Sequence, residues 1–299
     1  MVSPLIANLR NRVSWFITRT PYRHARKAAA RHRARAAVHR RRESFAGRDL
    51  DEDQRSVVET LRRTGSADAS AIVDQALLRA AYDAAVGKLA SGVREDNRLN
   101  PEKDFWDRLL DEDLNEAGHQ SADSPFVQLA IAERILAVVS AYFDDAPLLD
   151  YVYLLHSSHR PGPLRVSQLW HKDYDDTAVL KLFVYFTDCE DDADGPFTYL
   201  PADISAKVPF GLNSHRHDSK VLTNGVERYV SAWKGKMLSA RFVDTTRCYH
   251  MGSRVSPGHE RLLYMAAFTS YPKFNGRQTT TFELTGDLSE CQRVALTYG

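Results

Sequence analysis

The chain of 299 residues is 43% hydrophobic and 26% charged, an ordinary composition for a soluble globular protein, and it is long enough for one large catalytic-size domain with appendages. It has no run of about 18 apolar residues and no apolar signal-peptide core, which argues against a transmembrane helix and a secretory leader. Its three cysteines are scattered and odd in number, which argues against a disulfide framework and predicts a cytoplasmic protein.

The net charge of +1 conceals a basic N-terminus on an acidic chain. Residues 1–42 contain twelve of the 40 Lys and Arg and none of the 39 Asp and Glu, which leaves a formal charge of about −11 on residues 43–299. We predict a basic, helical arm over residues 1–43. Residues 3–20 have apolar side chains at helical spacing, whereas the Ala- and Arg-rich residues 22–42 have almost no apolar face.

Different interpretations of this arm stay open. It could contact an anionic membrane or another polyanion through Coulomb attraction and counterion release, which would give peripheral membrane association. It could equally be a solvated tail, or a helix packed on the acidic body of its own chain. The sequence shows no sequence-specific nucleic-acid motif.

Residues 44–145 are predicted to be mainly helical. Residues 68–90 and 124–143 have apolar side chains three and four positions apart, and Ser124-Pro125 marks the start of the second segment. Between them, residues 100–118 are predicted to contain a shorter helix and acidic loops.

The pattern changes in residues 146–299, where short runs rich in Val, Tyr, Phe, Leu and Thr alternate with turn residues. The predicted strands are residues 151–158, 179–188, 197–201, 220–224, 227–233, 236–244 and 261–271. Asn224-Gly225 is a good hairpin signal. Many short strands without intervening helices predict an antiparallel sandwich or jelly-roll barrel, so we expect an α+β fold with a mostly β core, in which residues 44–299 form a single domain.

A candidate metal site begins in WHKDYDD, residues 170–176, just before an apolar run. In an extended strand, residues two positions apart point to the same face, so His171 and Asp173 could bind one metal ion. The third ligand would be His250, at the end of another predicted strand. Two imidazoles and one carboxylate leave three positions of an octahedral ion open, as in non-haem Fe(II) oxygenases.

Such a site also needs a cation, because a keto-acid cosubstrate that chelates the metal has a distal carboxylate. Arg261 lies eleven residues after His250, on the next predicted strand, and Arg254 in the loop between is the alternative. The spacing alone does not decide between two interpretations. His171 and Asp173 could bind a metal, or they could be two polar residues at the solvent-exposed edge of a sheet.

Three separated blocks carry a family resemblance. The first is WHKDYDDTAVLKLFVYFTDCEDDADGPFTYLP, with an H-x-D pair, an apolar strand, an acidic turn and G-P-aromatic-x-x-x-P. The second is GKMLSARFVDTTRCYHMGSRV, and the third is Arg261. Together they resemble the phytanoyl-CoA dioxygenase-like family of Fe(II)/2-oxoglutarate oxygenases over residues 145–275. Residues 202–204 depart from the family's frequent G-S-H.

The resemblance implies a double-stranded β-helix, a jelly-roll or cupin-like barrel, in which His171, Asp173 and His250 bind Fe(II). It implies 2-oxoglutarate and O2 as cosubstrates, with the distal carboxylate of 2-oxoglutarate paired to Arg261. The implied reaction is hydroxylation of an aliphatic carbon of a small or carrier-linked metabolite. Halogenating relatives commonly replace the metal-binding carboxylate with a small residue, so Asp173 favours hydroxylation over halogenation.

Other polar residues near the motif are weaker candidates. Gln168 and Tyr153 could contact the metal-bound end of 2-oxoglutarate, with ordinary packing as the alternative. His215 and His217 are predicted to have a surface or substrate-lid role rather than to bind metal. The acidic run at residues 188–195 does not fit a calcium loop, because the twelfth position of an EF-hand frame falls on a proline.

Two other functions stay open. The barrel could be a non-catalytic binding or docking module recruited through its basic arm, although the presence of all the expected ligands argues against this. A zinc hydrolase could use the same three ligands, but no carboxylate base stands at a fixed spacing from them.

Overall fold

Helical and extended segments both contribute to the computed structural model, which describes residues 22–91, 103, 105–110, 118–209, 211 and 213–298. The helices in these ranges are α1 (Tyr22–Arg33), α2 (Arg35–Glu43), α3 (Glu52–Thr64), α4 (Gln75–Ala90), α5 (Pro125–Ala130), α6 (Glu133–Phe143), α7 (Ala202–Ser205), α8 (Asp218–Val221) and α9 (Glu290–Leu296). The strands are β1 (Ser66–Asp68), β2 (Trp106–Arg108), β3 (Gly118–Ser121), β4 (Pro147–Ser158), β5 (Leu180–Tyr185), β6 (Phe197–Tyr199), β7 (Ser231–Trp233), β8 (Ala240–Asp244), β9 (His250–Met251), β10 (Glu260–Ser270) and β11 (Thr280–Glu283). None of these helices combines the length and hydropathy that a membrane span requires.

Two antiparallel sheets form most of the β structure. The larger sheet has the strand order β1-β8-β5-β10-β4-β2. The smaller sheet has the order β7-β6-β9, and a backbone bridge between His171 and His250 adds the segment before β5 to its edge. A separate parallel pair joins β3 to β11. The structure is a mixed fold of helices and antiparallel sheets, as predicted.

The larger sheet has two different faces, because successive residues of a strand point to opposite sides. On β10, Leu262 and Tyr264 belong to the main hydrophobic core, which also contains residues of α3, α4, α5 and α6. Leu263 and Met265 belong to a second cluster that includes Phe197 of the smaller sheet. These four helices therefore cover one face of the larger sheet, and the other face packs toward the smaller sheet.

The end of α3 packs against the chain that leads to His250. Asp51 and Gln54 form a capping box at the start of α3, and Gly65 ends it with a φ of 78°. A Cβ atom at position 65 would lie 2.6 Å from Sγ of Cys248, two residues before His250. Glycine is therefore required at position 65 both by the backbone conformation and by this close approach.

Two predicted helices differ from the structure because tertiary contacts outweigh the local pattern. The helix predicted over residues 68–90 begins only at Gln75, since Ser66–Asp68 pairs with β8 and the carboxylate of Asp74 caps α4. The helix predicted over residues 124–143 is interrupted between α5 and α6. In the region predicted to hold a short helix and acidic loops, the described residues of β2 instead pair with β4 at the edge of the larger sheet.

The Asn224-Gly225 pair makes a turn but not a hairpin. Both residues have a positive φ, 55° and 80°, as this turn signal predicts. They follow α8 and precede the 3-10 helix Val226–Tyr229, so no strands pair across them. The strand predicted over residues 220–224 is therefore wrong.

The described part of the basic arm, α1 and α2, packs against the acidic body of the same chain. α1 has no apolar face, but Arg23, Lys27 and Arg31 repeat at four-residue spacing, which places them on one side of the helix. Lys27 forms an ion pair with Asp176, and Arg31 forms one with Asp145.

Residues 1–21, which include the predicted helix over residues 3–20, lie outside the described residues. The contact of the arm with a membrane or another polyanion stays a prediction.

Candidate metal centre

His171, Asp173 and His250 converge on one point. One ligand atom from each side chain lies within 4.8 Å of those from the other two. Two backbone hydrogen bonds of 2.9 Å join His171 to His250, and the backbone N–H of Asp173 donates to the carbonyl oxygen of Thr245 at 2.9 Å. The three residues are therefore held together by backbone pairing between the H-x-D segment and the chain around β9.

The backbone also sets the orientation of both imidazoles. Nδ1 of His171 lies 2.9 Å from the carbonyl oxygen of Leu169, and Nδ1 of His250 lies 3.1 Å from that of Cys248. A carbonyl oxygen only accepts, so each Nδ1 carries the proton and each Nε2 has a free lone pair. The two Nε2 atoms lie 3.8 Å and 3.7 Å from the carboxylate oxygens of Asp173.

Burial keeps both imidazoles neutral near pH 7. Burial and the neighbouring His250 lower the pKa of His171 to about 3. Burial lowers the pKa of His250 to about 4, although the charge of Asp173 opposes this. Because a metal binds the neutral imidazole, these rings are in the binding form without losing a proton.

Asp173 is an ionised carboxylate. Burial alone would raise the pKa of Asp173, but the neighbouring Lys181 cation opposes this most strongly, the two histidines add to its effect when they are protonated, and the pKa is lowered. Nζ of Lys181 lies 2.7 Å from Oδ2 of Asp173 in a buried ion pair. Two neutral imidazoles and an ionised carboxylate are a donor set that fits a divalent transition metal.

The three residues line a cavity of about 590 Å³. Its other walls come from the inward face of the larger sheet and from aromatic residues. The cavity-lining side chains of these kinds are Trp106, Tyr151, Tyr153, Leu155, Tyr174, Lys181, Phe183, Phe197, Arg261, Leu263 and Met265. The charged side chains of Lys103, Arg108, Lys172 and Asp175 also line it, so the site is a concave pocket with aromatic and charged walls and with the candidate metal ligands among them.

Arg261 lines this cavity and is 2% exposed. Its guanidinium donates to Oγ of Ser253 at 2.7 Å and to the carbonyl oxygen of Gly195. Its Nε has no hydrogen-bond partner among the described residues. Arg254, the alternative cation, does not line the cavity, because it forms a bidentate ion pair with Asp218 at 2.7 and 2.9 Å.

Tyr153 and Gln168 have different positions. Tyr153 lines the cavity, with its ring stacked on Tyr151 at 4.4 Å and the guanidinium carbon of Arg108 4.1 Å from its centroid. Gln168 does not line the cavity, because its amide nitrogen donates to the carbonyl oxygen of Ser253 at 2.9 Å and its amide oxygen accepts from a backbone N–H. The structure therefore does not place Gln168 where it could contact a ligand in the cavity.

His215 lines the cavity as well, with its ring centroid 5.0 Å from that of His171, whereas His217 is exposed. Lys181, Phe183, Leu263 and Met265 also line the cavity and were not predicted from the sequence. The signal for Leu263 and Met265 was strand alternation, because residues two and four positions after Arg261 share its face of β10.

No family model matches the chain, and no curated protein matches its sequence. Solved structures do match its fold. EctD from S. alaskensis with bound Fe is 15% identical, with a TM-score of 0.53 over 79% of this chain and 83% of EctD. The epimerase SnoN in complex with Fe3+, alpha ketoglutarate and nogalamycin RO is 16% identical, with a TM-score of 0.52 over 73% of this chain and 83% of SnoN.

HygX from Streptomyces hygroscopicus, with nickel, 2-oxoglutarate and hygromycin B bound, is 15% identical, with a TM-score of 0.51 over 73% of this chain and 88% of HygX. At these identities the likeness shows that the chain shares a fold with the three proteins.

Proposed function

We propose that this chain is a non-haem Fe(II)/2-oxoglutarate-dependent dioxygenase of the phytanoyl-CoA dioxygenase-like family, built on a double-stranded β-helix. His171, Asp173 and His250 would hold the iron, and Arg261 would pair with the distal carboxylate of 2-oxoglutarate. The observation that carries the proposal is that all four side chains line one cavity. EctD, SnoN and HygX support the proposal. The EctD structure contains iron, the SnoN structure contains iron and alpha ketoglutarate, and the HygX structure contains nickel and 2-oxoglutarate.

Bound with 2-oxoglutarate and O2, iron would supply an oxidant able to break an aliphatic C–H bond. The chain's own residues would position the reactants. The carbonyl groups of Leu169 and Cys248 hold the imidazoles in the metal-binding tautomer. Lys181 balances the charge of Asp173, and the buried guanidinium of Arg261 offers an unsatisfied Nε–H to an anion.

The substrate is proposed to be a small metabolite, or the end of a carrier-linked one, that is hydroxylated at an aliphatic carbon. A cavity of about 590 Å³ has room for 2-oxoglutarate and part of such a substrate. Tyr151, Tyr153, Phe183 and Phe197 supply apolar surface that would exclude water from the reacting carbon.

Hydroxylation is favoured over halogenation because Asp173 occupies the ligand position that a halide would need. Epimerisation is the second candidate, since SnoN, which shares the fold, is an epimerase. The two reactions differ in product mass, because hydroxylation adds one oxygen atom to the substrate and epimerisation adds none.

The deciding experiment is metal- and substrate-dependent formation of succinate from 2-oxoglutarate, with His171→Ala as the control. We expect turnover in the iron-loaded protein and none in the variant. A protein that turns over no 2-oxoglutarate with any of a panel of substrates, and whose His171→Ala variant binds iron as well as the wild type, would exclude the proposal.

Two other functions can be separated from this one. A docking module recruited through the basic arm would bind anionic liposomes in a salt-dependent way that requires residues 1–42, without consuming 2-oxoglutarate. A zinc hydrolase would give no visible absorbance band on anaerobic addition of Fe(II) and 2-oxoglutarate.

A further inference from the structure

The segment that carries His171 and Asp173 is held by few backbone hydrogen bonds after Asp173. Residues 174–178 make no backbone–backbone hydrogen bond to other described residues. The side chains of this stretch therefore have to hold it in place, and two of them, Tyr174 and Asp176, contact the helix α1.

Lys27 makes the stronger of these contacts. Its ammonium pairs with the carboxylate of Asp176, 149 residues away in sequence, and donates to the carbonyl oxygen of Ser270 at 2.9 Å. The side chains of Lys27 and Asp176 are 7% and 0% exposed. Arg23, one turn earlier on α1, lies with its guanidinium carbon 4.9 Å from the ring centroid of Tyr174.

Asp176 also links the segment to the chain after β10. One of its carboxylate oxygens accepts from the backbone N–H of Phe274 at 3.4 Å, and the other pairs with Lys27. Removal of Lys27 would leave a buried carboxylate without its countercharge, three residues from Asp173, and such a group moves toward water or takes up a proton.

We infer that α1 positions the metal-binding segment, with Lys27 as a positioning residue that acts through Asp176 on Asp173 and His171. The inference rests on the proposed metal site. It gives the described part of the basic arm a role in the site, because its inward cations contact the segment directly behind the ligands.

Arg31 offers a matched control on the same helix. It lies one turn after Lys27, pairs with the buried carboxylate of Asp145 and donates to the carbonyl oxygen of Tyr271 at 3.2 Å. Both cations pair with a buried carboxylate and donate to a backbone carbonyl, but Asp145 is also paired with Arg42, and only the partner of Lys27 lies in the metal-binding segment. Loss of either should loosen α1, and only loss of Lys27 should loosen the ligands.

The experiment compares Lys27→Met and Arg31→Met in the full-length protein, first without metal. Hydrogen exchange of the peptide that contains residues 170–177 should be faster in Lys27→Met than in the wild type and unchanged in Arg31→Met. Anaerobic titration with Co(II) should then show weaker binding by about tenfold in Lys27→Met and by less than about twofold in Arg31→Met. Lys27→Arg, which keeps the charge, should recover most of the affinity.

Asp176→Asn removes the other partner and should reproduce the effect of Lys27→Met. It also serves as the second variant should Lys27→Met fail to fold. Equal exchange and equal Co(II) affinity in Lys27→Met and Arg31→Met would overturn the inference. The arm would then pack on the body of the protein without positioning the metal-binding segment. A wild-type protein that binds no Co(II) would refute the proposed function instead, and the metal-free exchange data would still decide whether Lys27 holds the segment.

Discussion

Neighbouring residues of the larger sheet enter two different environments. On β10, Leu262 lies in the main core with the helices, whereas Arg261 lines the cavity. On β5, Leu182 lies in the same core and Lys181 lines the cavity beside Asp173. On β5 and β10, the buried side chains that face the helices are aliphatic or aromatic, whereas those that face the cavity also include the buried charges of Lys181 and Arg261.

The difference indicates that the helix-covered face mainly stabilises the fold, whereas the cavity face mainly supplies the groups that would bind metal and 2-oxoglutarate. Changes on the helix-covered face should lower the free energy of unfolding and leave ligand binding intact. Changes on the cavity face should alter metal or 2-oxoglutarate binding with a smaller effect on folding. Four predictions test this division, beginning with the largest expected effect.

The metal ligands should give the largest effect. His171→Ala and His250→Ala each remove one of three ligands from the cavity face, so we expect the rate of 2-oxoglutarate turnover to fall by more than about a hundredfold, beyond the effect of losing an outer-shell partner. Succinate formation measures the loss, and thermal unfolding without metal should show a folded protein. A variant that unfolds would instead show that these histidines are structural.

Leu262→Ala should give the largest effect on stability. Leu262 is 1% exposed, and its truncation removes apolar contacts and leaves a cavity, so we expect a loss of about 2–5 kcal/mol in the free energy of unfolding. Urea denaturation measures this value, and Co(II) affinity should stay within about twofold of the wild type. A large loss of metal affinity would contradict the separation of the two faces.

Arg261→Lys tests the adjacent residue on the opposite face. Lysine keeps the charge but loses the planar fork that matches a carboxylate, so we expect 2-oxoglutarate to bind about tenfold more weakly. Isothermal titration in the presence of Co(II) measures this affinity, and the affinity for Co(II) itself is the internal control. Unchanged binding of 2-oxoglutarate would assign its distal carboxylate to another cation.

The pH dependence of stability should give the smallest effect. The folded protein lowers the pKa of His171 to about 3 and of His250 to about 4, so the unfolded chain, with histidine near 6.5, binds more protons. The stabilisation is therefore fully present above pH 6.5 and is lost as the pH falls toward 4. Between pH 7 and pH 6 we expect the metal-free protein to lose about 1 kcal/mol from these two groups.

Urea denaturation at the two pH values, with a chelator present, measures this loss. The double variant His171→Gln/His250→Gln should lose less, since glutamine does not titrate. An equal loss in the double variant would assign the pH dependence to other groups.

Much of this arrangement could be predicted from local pattern. The runs that became β4, β5, β8 and β10 are rich in residues typical of strands, and the structure contains each of them. The spacing of the H-x-D pair and His250 left a common metal site open and the family resemblance predicted it, and the three side chains do meet. Arg261 was predicted to reach the same cavity, which it lines.

Two features could not be predicted from the local pattern, and they have the same cause. β2 lies in a segment predicted to contain a helix and acidic loops, and it became a strand because the edge of β4 offered backbone partners. Gln168 was a candidate for cosubstrate contact, but its amide is engaged by the chain around Ser253. In both cases a distant segment of the chain supplied the hydrogen bonds that decided the outcome.

By itself, the sequence determined which residues have the chemistry to bind a metal and which strands present alternate residues to opposite faces, because donor type and period-two alternation are local properties. Only the tertiary structure decided that Lys181 lies beside Asp173, and that Lys27 pairs with Asp176, which is 149 residues away in sequence. Both pairs exist because burial makes an unpaired charge costly, and which charges are buried together depends on how distant segments pack.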